Sequence, residues 1–250
     1  MKVGIIVAME SELRLVARSL VGVRSQERKG GLVFYKGRYG TADVVLCQAG
    51  IGKVNAAVAT TSMILNENPD LIINSGVAGS LDERVKPADV IVGSRVKYCD
   101  VWCGKPNSRG QVQGMPEWFP TMEVNTDSSG LRRLAKKYHT RRRMFCVLRA
   151  PIVSGDWFME TVADKMKCSR ASGHAKAVDM ESGAIAQVCF RFGVPFLPVR
   201  VVSDVVGSPN HQGKYEDFWK KLAERSFEVS MQLVKDICES NASTIADGKN

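Results

Sequence analysis

Five short polar stretches stand directly against apolar runs and carry side chains able to move protons or hold a sugar. They are Met9-Glu10-Ser11-Glu12, Asn74 to Ser80, Val153-Ser154-Gly155-Asp156, Asp179-Met180-Glu181 and Ser203-Asp204. In open α/β sheets ligands bind beyond the carboxyl ends of the strands, which is where these residues fall. Asp204 follows a nearly continuous apolar run, Pro195–Val202. A carboxyl group buried there must be paired, hydrogen-bonded or protonated, and a raised pKa suits a general acid. Glu181 opens a helical segment, where the dipole stabilises a carboxylate that could accept two adjacent sugar hydroxyls. Each signal has a plainer reading, since Glu10, Glu12 and Glu181 could all simply cap helices. Their joint position is more informative: an acid, a base and a diol acceptor can converge at the strand ends of one sheet. The glycine-rich Ser75–Ser80 stretch predicts a tight turn that could offer N–H groups to an anion or a purine edge. It matches neither GxxxxGK[ST] nor GxGxxG.

The elements that would position these groups are legible as alternating runs. Val- and Ile-rich segments at Val3–Met9, Val33–Tyr35, Val44–Ala49, Leu71–Asn74, Val90–Val96, Met144–Val153, Ala177–Met180 and Pro195–Val202 predict strands, most of them buried on both faces. Helical spacing follows the Gly50-Ile51-Gly52 turn, at Val54, Ala57, Val58, Thr61, Ile64 and Leu65. Another helix runs from Glu181 to Phe192 and stops at Gly193, and a long one is predicted from about Tyr215 to Ser240. Trp102–Pro120, with three Gly, three Pro and two Trp, reads as a long loop. The pattern predicts an α/β fold, a three-layer αβα sandwich on a twisted mixed β-sheet. Residues 1–240 are expected to form a single domain and 241–250 a loose C-terminal tail.

Composition is that of an ordinary globular chain, with 44% hydrophobic and 24% charged residues. The first apolar run is too short for a signal sequence or a membrane span, so a soluble, cytoplasmic protein without a membrane partner is expected. Seven scattered cysteines and three dispersed histidines give no zinc-like spacing, so neither a metal nor another cofactor is expected. A net charge of +9 and the Lys136–Arg143 stretch raise the question of nucleic acid. That stretch lies between a helical segment and a strand, where a solvated helix C-terminus favours cations, so no nucleic-acid partner is expected.

Five motifs together carry a resemblance: Met-Lys-Val-Gly-Ile-Ile-Val-Ala-Met-Glu-Ser-Glu at 1–12, Gly-Ile-Gly-Lys-Val-Asn-Ala-Ala at 50–57, Ile-Val-Ser-Gly-Asp at 152–156, Val-Asp-Met-Glu at 178–181 and Val-Arg-Val-Val-Ser-Asp at 199–204. The sequence resembles the 5′-methylthioadenosine/S-adenosylhomocysteine nucleosidase family over nearly its whole length. That resemblance implies a nucleoside phosphorylase-like fold, a homodimer, and hydrolysis of the N-glycosidic bond of a 5′-thioadenosine nucleoside. It implies that Glu12 activates the attacking water, that Asp204 protonates adenine N7 with Ser203 orienting it, and that Glu181 binds the ribose hydroxyls above Met180. Phe158 would stack on adenine and the Met159 backbone would bond its edge. Met9 and Ile51 would line the 5′-alkylthio pocket, and Tyr215 would match an aromatic donated across the dimer interface. Val77, Ala78, Gly79, Asp179 and Arg200 complete the expected substrate-binding set. The family commonly has Ser where Val77 stands, which puts a hydrogen bond near the ribose or the water in question, and the Trp102–Pro120 segment is longer than usual.

Two other functions are consistent with parts of this pattern. A nucleoside phosphorylase on the same fold would use phosphate in place of water and would need cations at a phosphate site instead of a base. A non-catalytic nucleic-acid binder would exploit the basic surface and leave the carboxylates idle.

Overall fold

The computed structural model describes residues 1–137, 146–209 and 223–247. Ten strands form one mixed sheet: β1 (Lys2–Val7), β2 (Val21–Glu27), β3 (Val33–Tyr39), β4 (Ala42–Gln48), β5 (Leu71–Ser80), β6 (Val90–Tyr98), β7 (Phe119–Pro120), β8 (Val147–Ser154), β9 (Ala177–Asp179) and β10 (Phe196–Val205). Their order is β10-β6-β8-β9-β5-β1-β4-β3-β2, with β7 on β6. Strand β10 also pairs in parallel with β5, so β10, β6, β8, β9 and β5 close into a ring while β1 to β4 extend from it as an open wing. The expected mixed sheet is present, and the closure is what the run pattern did not indicate.

Helices α1 (Glu10–Ala17), α2 (Lys53–Glu67), α3 (Ser129–Lys137), α4 (Val162–Ser172), α5 (Ser182–Phe192) and α6 (Ala223–Asp247) accompany the sheet. Two cores divide by strand alternation. Val3, Ile5 and Val7 of β1 pack with Leu13 and Val16 of α1 and with Phe227, Leu233 and Ile237 of α6. Ile6 points the other way, into the cluster of Ala59 and Met63 from α2 and Ile185 from α5. Helices therefore cover both faces, and each fully buried Ile or Val adds about 1.5–3 kcal/mol of transfer free energy.

Several expectations need correction. The glycine-rich Ser75–Ser80 stretch is not a turn but the second half of β5, buried or half-buried throughout. Its glycines answer crowding: a Cβ on Gly76 would stand 2.7 Å from Glu12 Oε1 and closer still to Arg200 Nη1, and one on Gly79 would stand 3.3 Å from Asp204 Oδ2. Strand β10 likewise continues through Ser203 and Asp204, with a register shift between Val202 and Asp204. In α2 the inward face is Ala56, Ala59, Met63 and Ile64, whereas Val54, Val58 and Leu65 are exposed. Helix α6 continues past Asn241 as far as Asp247, and no Gly or Pro stands between Asn241 and Gly248. The start of the last helix expected at Tyr215, and residues 138–143 of the basic stretch, lie outside the described residues. Helix α5 ends as its sequence indicates, with Gly193 in the left-handed conformation at φ 66°.

Candidate active site

The strand ends and helix starts converge on a cleft of about 630 Å³, the open solvent at its mouth included. Glu12, Asp204, Ser203, Met9, Ile51, Val77, Ala78, Gly79, Phe158, Met159, Asp179, Met180 and Glu181 all line it. Arg200 does not; it lies beneath the floor, fully buried. Tyr215 lies outside the described residues. Sequence reasoning missed Ala8, Trp157, Val178 and Val206 in the lining. Trp157, beside Phe158 in a strand-end loop, was the one with a usable signal.

Glu12 is 1% exposed, which a solvated helix cap would not be. Its Oε2 accepts the N–H groups of Ala8 and Met9, both at 2.9 Å, and its Oε1 accepts the N–H of Val77 at 3.0 Å. The main-chain N–H of residue 77 thus serves Glu12 whatever the side chain. Burial pushes the Glu12 carboxyl above the usual range, while the Arg200 charge and the three N–H donors pull the other way. At 3% exposure Asp204 accepts the Ser203 hydroxyl at Oδ1, 2.5 Å away, and Ser203 Oγ also stands 3.3 Å from the Ala78 carbonyl oxygen. Glycines 76 and 79, over which Glu12 and Asp204 sit, are three residues apart on β5, roughly 10 Å along the strand.

Glu181 occupies the N-cap position of α5 without capping it by its side chain. That duty falls to Asp179, whose Oδ1 accepts the Ser182 N–H at 3.1 Å and whose Oδ2 accepts the Ser182 hydroxyl. Glu181 Oε1 instead accepts the Gly52 N–H at 3.1 Å, and its Oε2 lies 3.4 Å from Arg200 Nη2. Arg200 ties the floor together: Nε is 2.7 Å from Asp179 Oδ2, an ion pair by distance whose N–H points off the oxygen, and Nη2 donates to Asn74 Oδ1 and to Ser182 Oγ. Asn74 in turn donates to the Ile6 carbonyl at 2.9 Å, anchoring the network to β1.

Burial pushes the Glu181 carboxyl up to about 7, against the attraction of Arg200 and with the added repulsion of Asp179. A carboxyl that binds its proton more tightly folded than unfolded contributes stability fully below its ordinary value of 4.5, and that contribution is lost as pH rises through about 7. Accepting two hydroxyls requires the ionised form. Apparent affinity for a ribosyl ligand should therefore strengthen as pH rises through 7, and in Glu181→Gln this pH dependence should disappear along with most of the affinity. A ligand affinity flat across that range in the wild type would exclude Glu181 as an acceptor of sugar hydroxyls.

Among the described residues no group of three or more His, Cys, Asp or Glu side chains is placed to hold a metal ion, and no helix is long and apolar enough to cross a membrane.

A mixed sheet closed through β5 and β10, with four buried acidic groups around a cleft at the strand ends, defines a class. The chain belongs to the phosphorylase superfamily, whose family model matches residues 2–235. Within it, the chain is 37% identical over 240 residues to the 5′-methylthioadenosine/S-adenosylhomocysteine nucleosidase of Staphylococcus aureus (strain MRSA252), spanning 94% of this chain and 100% of that protein. The nucleosidase of that name from Neisseria meningitidis, solved in complex with methylthio-immucillin-A, has a TM-score of 0.83 at 30% identity, covering 94% of this chain and 99% of that one. The Colwellia psychrerythraea 34H enzyme in complex with adenine gives 0.79 at 33%, covering 93% and 94%. The resemblance carried by the five motifs, and the nucleoside phosphorylase-like fold it implied, both stand.

Proposed function

We propose that this chain hydrolyses the N-glycosidic bond of 5′-methylthioadenosine and S-adenosylhomocysteine, releasing adenine and the 5′-thio-ribose. The observation that carries the choice of water over phosphate is the lining: it holds four acidic side chains, Glu12, Asp179, Glu181 and Asp204, and among the described residues no Lys, Arg or His. Arg200, beneath the floor, is buried among Asp179, Glu181 and Glu12 and is committed to them. A phosphate dianion would find no cation in that lining to pair with.

Each step uses a group whose surroundings suit it. Asp204, with Oδ1 accepting from Ser203, carries its proton on Oδ2 and donates it to adenine N7, so that the C1′–N9 bond breaks toward a neutral base. The departing base leaves an oxocarbenium-like ribosyl cation, which the surrounding carboxylates stabilise. Glu12, held by three main-chain N–H groups, takes the proton of the attacking water as its oxygen bonds C1′. Glu181 accepts the 2′- and 3′-hydroxyls, Met180 packs beneath the sugar and the Met159 main chain meets the base edge. Phe158, 48% exposed at the mouth, stacks on adenine, and Met9 and Ile51 face the 5′ substituent. Arg200 acts from one layer below, and Asp179, at the cleft floor, caps α5 and pairs with Arg200, so that together they align Glu181.

The decisive assay is adenine release from methylthioadenosine in phosphate-free buffer. Release at full rate with free 5′-methylthioribose as co-product is expected; dependence on added phosphate, with a ribose 1-phosphate product, would make the chain a phosphorylase.

The same reading includes a homodimer, supported by the exposed apolar stripe Val54, Val58 and Leu65 on α2. A monomer by light scattering at micromolar concentration would overturn it. It also includes a cytoplasmic location, which seven cysteines without a disulfide suit, and no nucleic-acid partner. Export of the full-length protein in cell fractionation would contradict the first, and salt-sensitive oligonucleotide binding the second.

A further inference from the structure

Two lips of the cleft are contributed by segments far apart in sequence: the start of α2, with Ile51 and Gly52, and the Gly155–Met159 segment after β8. Both are fastened to one residue outside the cleft. Asp100, two residues past the end of β6, accepts the Lys53 ammonium at 2.7 Å and the main-chain N–H of Asp156 at 2.9 Å, both through Oδ2. Asp156 completes the circuit, its Oδ1 accepting the main-chain N–H of Lys53 at 2.7 Å. The first turn of α2, which lacks a side-chain cap of its own, is thereby capped from the opposite lip. Space is tight around these bonds: a Cβ on Gly52 would lie 3.0 Å from Asp156 Oδ1, and one on Gly155 would lie 2.8 Å from Asp100 Cγ. Lys53 also lies over the Tyr98 ring, 5.5 Å from its centroid. The pair is half-buried, with side-chain exposures of 26% and 21%, unlike a solvated surface bridge.

What these bonds hold gives them their significance. Consecutive N–H groups of the α2 start serve two carboxylates: Gly52 N–H holds Glu181, the proposed ribose acceptor, and Lys53 N–H holds Asp156, whose neighbours Phe158 and Met159 face the base. The distance between the sugar site and the base site is therefore set where α2 begins. We propose that Asp100 and Lys53 are positioning residues for the reaction, locking the α2 start to the Gly155–Met159 segment so that the ribose carboxylate and the adenine-contacting residues keep a fixed separation. Neither touches the nucleoside; both act through Gly52 and Asp156. This inference rests on the proposed nucleosidase function.

The test measures KM and kcat for methylthioadenosine, the adenine Kd by tryptophan fluorescence (Trp157 lines the cleft), and the melting temperature. The proteins are the wild type, Asp100→Ala, Asp100→Asn, Lys53→Met, Lys53→Arg and the Lys53→Met/Asp100→Ala double variant. Asp100→Ala and Lys53→Met should each raise KM and the adenine Kd by roughly 10-fold, as befits charge-assisted bonds, with kcat changing less. Asp100→Asn, keeping one acceptor oxygen, should fall between, and Lys53→Arg should restore near wild-type values. The double variant should be no worse than the worse single one, because each removes the same lock. A lowered melting temperature with KM and adenine Kd unchanged would make the network purely structural and overturn the proposal, as would two single effects that simply add. A wild type that neither binds nor releases adenine would refute the nucleosidase reading itself, and that outcome is recognised without any variant.

Discussion

Asp204→Asn should lower the rate of adenine release by about 10²–10⁴-fold while leaving adenine affinity within a few-fold of the wild type. The amide occupies the same space at the bulge of β10 and can still accept the Ser203 hydroxyl through its oxygen, so folding should be nearly unaffected. Its amide N–H can hydrogen-bond N7 but is not acidic enough to transfer a proton, and the base must then leave as an anion. Ser203→Ala provides the internal control. It removes one hydrogen bond, worth about 0.5–1.5 kcal/mol, and should slow the reaction only about 3–10-fold. Single-turnover measurements separate the chemical step from product release. An asparagine variant that retains a rate within tenfold of the wild type would show that leaving-group protonation comes from elsewhere.

The largest effect on stability is expected at Arg200. Arg200→Met preserves length and apolar bulk in a fully buried site but strips the counter-charge from Asp179, Glu181 and Glu12. Breaking a buried ion pair by deleting one partner costs about 3–5 kcal/mol, because the charges left behind are neither solvated nor paired. The loss should depend on pH in a definite direction. Without Arg200 the Glu181 and Glu12 carboxyls, already raised by burial, hold their protons still more tightly, so the deficit should be smaller near pH 5, where they can be neutral, than near pH 8. Urea unfolding at the two pH values checks both claims. A loss below about 1 kcal/mol that does not change with pH would mean that the network is not held by the arginine charge.

These expectations also show which parts of the molecule could be read from its residues. Strands buried on both faces announce themselves as Val/Ile runs, and helix α5 carries its own stop at Gly193. By contrast, β2 is exposed along its whole length and is held by pairing with β3, so it has no apolar run to detect. Strand β7 and helix α4 likewise carry no clear period of their own. The Ser75–Ser80 stretch looks like a turn because glycine reports two different needs, a positive φ or the absence of a Cβ. Only the position of Glu12, Arg200 and Asp204 over that strand tells which applies. In α2 both faces are apolar, and periodicity cannot say which one meets the sheet. The carboxylates themselves were visible as strand-end acids. The resemblance puts Arg200 among the substrate contacts, but it serves the floor, a distinction that depends on which face of β10 it takes. The main-chain donors to Glu12 could not be seen at all, since every residue type but proline offers the same N–H.

The closure of β10 onto β5 also has a bearing on how the protein is made. The bond from Ser203 to the Ala78 carbonyl spans 125 positions of chain. At a synthesis rate of 5–20 residues per second, roughly 6–25 s separate the emergence of β5 from that of its partner. Until β10 is made, the edge of β5 that receives it in the folded sheet, Ile72 to Ser80, has no partner strand. Non-local strand pairing of this kind is slow and leaves edges open to other chains. Glu12 is thus synthesised well before Asp204, and the cleft has no floor until β10 arrives.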